Sequence, residues 1–188
     1  MRCCKNNKNA WWLAALLLLV PQWAMADGIF VRTAETFLLD NVYRLNANID
    51  YRLNATVLEA LHNGVALPLT VHIEVSRKRS YMWDETIASQ TRRIVLAYEP
   101  LPRRYAATNI ENGDTSYYSS LYDALDAIGV IKNLPLIDNT ALQRGSSYSG
   151  SVRSYLDTES LPIALRMLAY ANSSWRLGSE WYVWPIRD

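Results

Sequence analysis

In the stretch VYRLNANIDYRL, residues 42–53, apolar and polar residues alternate without interruption from Tyr43 onward. Tyr43, Leu45, Ala47, Ile49, Tyr51 and Leu53 are apolar or aromatic, and Arg44, Asn46, Asn48, Asp50 and Arg52 between them are polar. Successive side chains on an extended chain point to opposite faces, so this pattern predicts a long strand with one buried and one wet face.

The flanking sequence extends the pattern. Upstream, Gly28 to Leu38 carries Ile29, Val31 and Phe37 on odd positions, and Asp40-Asn41 reads as the hairpin turn between two strands. Downstream, Asn54 can cap a short helix that buries Val57, Leu58 and Leu61 and ends at Gly64. Leu69, Val71, Ile73 and Val75 then alternate with Thr70, His72, Glu74 and Ser76 in a further strand. The loop Arg79 to Glu85 leads to a strand ending in Ile94, Leu96 and Tyr98, closed by Pro100 and Pro102. Arg103 to Ile110 reads as its antiparallel partner, and Asn112-Gly113 as a two-residue hairpin into Thr115 to Tyr118.

A second helix is predicted from Ser120 as cap, with Asp123 completing an approximate capping box. Its buried stripe is Leu121, Leu125 and Ile128, and Gly129 stops it. Residues 138–150, rich in serine and glycine, read as a mobile loop. A strand around Val152 to Leu156, a short helix opened by Pro162 and a last strand through Trp181 to Trp184 complete the chain. The expected class is α+β, mainly antiparallel β: a two-layer β-sandwich-like fold or curled sheet with two to three short inserted helices. No internal repeat or linker interrupts it, so residues 27–188 are expected to form one domain.

The first 26 residues differ in chemistry from all that follows. Arg2, Lys5 and Lys8 form a positive region, Ala10 to Val20 is almost wholly apolar, and Ala24-Met25-Ala26 offers small residues where signal peptidase accepts them. The apolar run falls well short of the roughly 20 residues of a spanning helix. A signal peptide cleaved after Ala26 is therefore expected, and with it a periplasmic or secreted location; no later segment is long and apolar enough to span. Cleavage removes three of the 19 basic residues and none of the 18 acidic ones, leaving a domain near −2. That balance is no footprint for nucleic acid. Both cysteines, Cys3 and Cys4, leave with the signal, which removes thiol catalysis, redox function and thiolate metal sites.

Few residues suggest chemistry. His62 and His72 are the only histidines, neither with a second histidine or an acidic residue at metal-ligand spacing, so no metal and no cofactor is expected. Gly145-Ser146-Ser147-Tyr148-Ser149-Gly150 lacks the Gly-x-Ser-x-Gly turn of a serine hydrolase. Paired carboxylates, Asp84 with Glu85 or Asp157 with Glu159, could serve glycan hydrolysis, the first pair beside Tyr81 and Trp83. The more distinctive constellation is basic and aromatic. Arg77, Lys78 and Arg79 precede Tyr81, Met82, Trp83 and Asp84, with Arg92-Arg93 and Arg103-Arg104 on the following strands. Guanidinium groups suit phosphates, anionic headgroups or a partner's carboxylates. Adjacent residues on a strand face opposite sides, however, so each Arg-Arg pair is split, and a cross-strand pair of Arg103 or Arg104 with Glu99 competes. An exposed Trp83 in this charged loop would mark an interaction surface. The expected binding residues are Arg77, Lys78, Arg79, Tyr81, Trp83 and Asp84.

Several stretches resemble a family of exported bacterial proteins. They include Tyr51-Arg52-Leu53 through Ala60-Leu61-His62-Asn63-Gly64-Val65, then Arg77-Lys78-Arg79 with Trp83-Asp84, Arg103-Arg104-Tyr105 and Leu121-Tyr122-Asp123-Ala124-Leu125. The best fit is the ending, Ser160-Leu161-Pro162 to Trp175-Arg176-Leu177 and Trp181-Tyr182-Val183-Trp184-Pro185. The family is the domain of unknown function numbered four-three-nine-zero. The resemblance implies an envelope protein, supplies no catalytic residues, and associates it with a membrane sensor histidine kinase of the nitrogen-regulation type. The expected function is a non-enzymatic periplasmic interaction or accessory module whose partner is a membrane or periplasmic protein. The alternatives are an envelope carbohydrate binder or hydrolase using a loop carboxylate, and a structural protein of envelope maintenance.

Overall fold

The computed structural model describes residues 27–79, 81–143 and 145–186. The expected signal peptide lies outside the described residues. Two antiparallel sheets carry the domain. The smaller has strand order β1-β2-β7, from β1 (Gly28–Leu39), β2 (Val42–Arg52) and β7 (Val130–Asp138). The larger has order β6-β5-β4-β3-β8-β9, from β3 (Leu67–Arg77), β4 (Glu85–Glu99), β5 (Arg104–Asn109), β6 (Thr115–Tyr118), β8 (Tyr148–Leu156) and β9 (Tyr182–Ile186). Three short helices are inserted: α1 (Ala55–His62), α2 (Leu121–Gly129) and α3 (Ile163–Ala171). The expected α+β class, dominated by antiparallel strands, holds.

The alternation in β2 becomes the core. Tyr43, Leu45, Ala47, Ile49 and Tyr51 are all buried, and they share one hydrophobic cluster with Leu67, Leu69, Val71, Ile73 and Val75 of β3 and Val152 and Leu156 of β8. Between the layers, the Tyr51 hydroxyl meets Ser154 Oγ at 2.9 Å, and Ser154 Oγ donates to the Thr70 carbonyl at 3.1 Å. Burial pushes the Tyr51 phenol up to about 12, because its anion would lie away from water.

Local chemistry explains most boundaries. Asp40 and Asn41 both take positive φ, 50° and 61°, the conformation a tight two-residue hairpin requires. Asn54 Oδ1 accepts from Val57 N at 3.0 Å and Ser120 Oγ from Asp123 N at 3.1 Å, so both predicted caps form.

Other expectations change. A bulge between Val31 and Thr33 reverses the parity of β1, so Ala34 is buried while Phe37 is only half-buried. Asn112-Gly113 lies within a longer loop, because Asn109 N donates to the Asp114 carbonyl and residues 110–113 all fall inside it. Ala124, not Leu121 or Leu125, is the most buried member of the α2 stripe. Gly129 is more than a stop: a side chain there would collide with the Ile49 carbonyl, so its absence lets α2 run directly into β7 against β2. Strand β7 itself was not foreseen; Pro135 and the positive φ of Asn133 disguise it as a loop, and both are tolerated because it is an edge strand. Of the segment expected to be a mobile loop, Tyr148, Ser149 and Gly150 belong to β8 and are buried.

Candidate functional site

The β3–β4 hairpin projects the stretch on which the sequence placed binding. Arg77 ends β3 opposite Glu85, which begins β4, and a register shift between Val75 and Ser76 breaks the ladder just before the tip. A bulge at this place strengthens local twist and re-aims the end of the hairpin. At the base, the Glu85 carboxylate accepts from both Arg77 and Arg79. These bonds, from Arg79 first and Arg77 second, hold the Glu85 carboxyl below the usual glutamate range.

A neighbouring segment braces the same base. Arg77 also donates to Gln143 Oε1, and Lys78 N donates to the Ser147 carbonyl at 2.9 Å. The tip above is bare. Tyr81 is 99%, Met82 67% and Trp83 90% exposed, and Asp84 is exposed beside them. Three consecutive large side chains with so little cover gain nothing from the fold, since the stabilisation of an apolar group comes from removing it from water.

The predicted residues therefore divide into two groups. Arg77 and Arg79 are spent on the Glu85 clamp, while Lys78, Tyr81, Trp83 and Asp84 are presented to solvent. The clamp also bears on hydrolysis: a carboxyl held ionised by two guanidinium groups suits a base or nucleophile rather than the proton donor that glycan hydrolysis also needs. The second carboxylate pair serves structure. Asp157 accepts from Glu159 N and Ser160 Oγ, and Glu159 accepts from the Tyr170 hydroxyl.

The remaining candidates are placed as follows. Arg92 and Arg93 are split between faces, Arg93 pairing with Glu111 at 3.7 Å, and Arg104 Nε donates to Glu99 at 2.7 Å in the expected cross-strand pair. His62 Nε2 lies 2.9 Å from the Tyr105 hydroxyl. His72 corrects the sequence reading: it does have an acidic neighbour, with Nε2 2.9 Å from Glu74 Oε1, since residues two apart share a strand face. Among the described residues, no group of three or more His, Cys, Asp or Glu side chains comes together to hold a metal, and no helix is long and apolar enough to cross a membrane. Gln143 and Ser147 escaped sequence reasoning. Nothing in the local pattern says that this serine- and glycine-rich segment folds against the base of a distant hairpin.

A protein-family profile described as Domain of unknown function (DUF4390) matches residues 26–185. No curated protein and no solved structure matches the chain.

Proposed function

The chain belongs to the DUF4390 family, and from that premise we propose that it is an exported, non-enzymatic module of the bacterial cell envelope that binds a protein partner through the β3–β4 tip. The observation that carries this reading is the exposure of Tyr81, Met82 and Trp83 on a hairpin whose base is held by ionic and backbone bonds. A rigid base under exposed aromatic residues is the arrangement of a binding hot spot. Tyr and Trp supply large contact areas at small entropic cost, and truncating such an anchor typically costs about 2 kcal/mol or more of binding. Lys78 and Asp84 flank the aromatics and would set orientation at a polar rim.

The location we propose is the periplasm, reached by the signal peptide of residues 1–26. The specific partner we propose is the outer portion of a membrane sensor histidine kinase. The test is a crosslinking pull-down from the native envelope with wild-type protein and Trp83→Ala in parallel. A single enriched membrane protein, lost by at least about tenfold in the variant at unchanged melting temperature, is the expected result. Equal capture by both proteins would remove the tip as the site.

A further inference from the structure

Beside the base of the hairpin lies a cleft of about 540 Å³, a volume within the roughly 300–1,000 Å³ typical of ligand clefts. Its walls come from the β1–β2 turn and from residues 139–143. Asn41, Asn139, Thr140 and Gln143 bring three carboxamides and a hydroxyl, Leu38 and Leu142 bring apolar surface, and among the described residues none that lines the cleft carries a charge. The Tyr43 and Tyr148 rings also border it, but at 2% and 7% exposure neither offers an open face.

The frame of this cleft is built before any ligand arrives. The tight turn sets Asn41, whose backbone carbonyl accepts from Asn139 N at 2.9 Å, and Asn139 Nδ2 reaches Asn41 Oδ1 at 3.4 Å. That leaves the Asn41 amide nitrogen, the Asn139 amide oxygen and the Thr140 hydroxyl without a hydrogen-bond partner among the described residues. The cleft is also joined to the hairpin base. The Tyr148 hydroxyl accepts from Gln143 N at 2.8 Å, and Gln143 Oε1 accepts from Arg77, the residue that clamps Glu85.

We infer that this cleft binds an extended, uncharged peptide segment of the partner engaged by the tip; the inference rests on the interaction reading above and deepens it. Carboxamides and a hydroxyl offer donors and acceptors side by side, which matches the alternating N–H and C=O groups of an extended backbone. Leu38 and Leu142 take an apolar side chain. A charged side chain would be desolvated here with no charge among the described lining residues to meet it, so a neutral segment fits the cleft. The buried rings separate this ligand from a saccharide, which needs an exposed aromatic face to stack on.

Selection of a random heptapeptide display library on the purified protein tests the inference. The enriched peptides are expected to lack charged residues, to carry an aliphatic or aromatic side chain, and to bind Thr140→Trp at least tenfold more weakly. Leu38→Asp on the opposite wall should produce a comparable loss, while Trp83→Ala should bind the same peptides within twofold. Both cleft positions are exposed, and unchanged thermal melting would verify that the variants fold. An empty selection, a charged consensus, or equal binding by the two cleft variants overturns the inference. So does a glycan-array signal that Thr140→Trp abolishes. If the peptides fail while Trp83→Ala still loses its envelope partner, the cleft assignment falls and the tip reading stands. If Trp83→Ala keeps the partner while both cleft variants lose the peptides, the tip falls alone.

Discussion

Trp83 and Trp184 are the same residue type in opposite circumstances. Trp184 lies in β9 with 6% exposure, its ring resting on Gly150 of β8 where a methyl group would collide with it, and its indole N–H donating to Thr36 Oγ1 of the other sheet at 3.3 Å. Trp83 is 90% exposed at the end of a hairpin. One tryptophan joins the two layers, and the other contributes next to nothing to folding. An amphipathic aromatic that folding does not use, held on a braced hairpin, points to a use outside the fold.

The contrast can be broken in four places. Trp184→Ala should cost about 3–5 kcal/mol in denaturant unfolding, since it removes a large buried ring and leaves a cavity above Gly150; a loss under about 1 kcal/mol would show that the layers are held elsewhere. Gly150→Ala should cost about 1–3 kcal/mol by overpacking the same contact from the other side. Tyr51→Phe should cost about 1 kcal/mol through the lost bond to Ser154, and it carries a pH signature. Burial raises the Tyr51 phenol from 10.0 to about 12, so the folded state keeps a proton that the unfolded chain gives up. The stabilisation is complete below pH 10 and is lost as pH rises toward 12. An alkaline unfolding series should show this loss in the wild type and a flatter profile in Tyr51→Phe. The smallest effect belongs to Trp83→Ala, which should change stability by less than about 0.5 kcal/mol; a larger loss measured by denaturant titration would mean that the fold uses the tip after all.

Much of this contrast was legible beforehand, for a local reason. Trp83 stands among Arg77, Lys78, Arg79, Asp84 and Glu85, residues that keep a loop in water, whereas Trp184 belongs to the apolar run Trp181-Tyr182-Val183-Trp184. The division of labour among the tip residues was not legible. Which arginines bind Glu85 depends on where the hairpin closes, and the register shift at Ser76 is not encoded by any one residue type. The serine-glycine stretch misled for a related reason. Gly145 has positive φ with open space around it and behaves as a loop glycine, but Gly150 is small because Trp184, more than thirty residues later, occupies its space. Composition alone cannot distinguish a residue that is small for flexibility from one that is small for packing.

The sequence by itself determined the elements with short-range causes: the alternation that makes β2 and β3 one-sided, the asparagine and serine caps, the Asp40-Asn41 turn and the aromatic tip. Each is set by the period of the backbone or by a bond spanning three or four residues, so the information is present in the local chain. The tertiary structure alone decided the edge strand β7, the parity reversal in β1, the meeting of Gln143 with Arg77 and the cleft between the β1–β2 turn and residues 139–143. These depend on contacts between segments far apart in the chain. Their free energy exists only once the two sheets have closed on each other, and no local pattern records it.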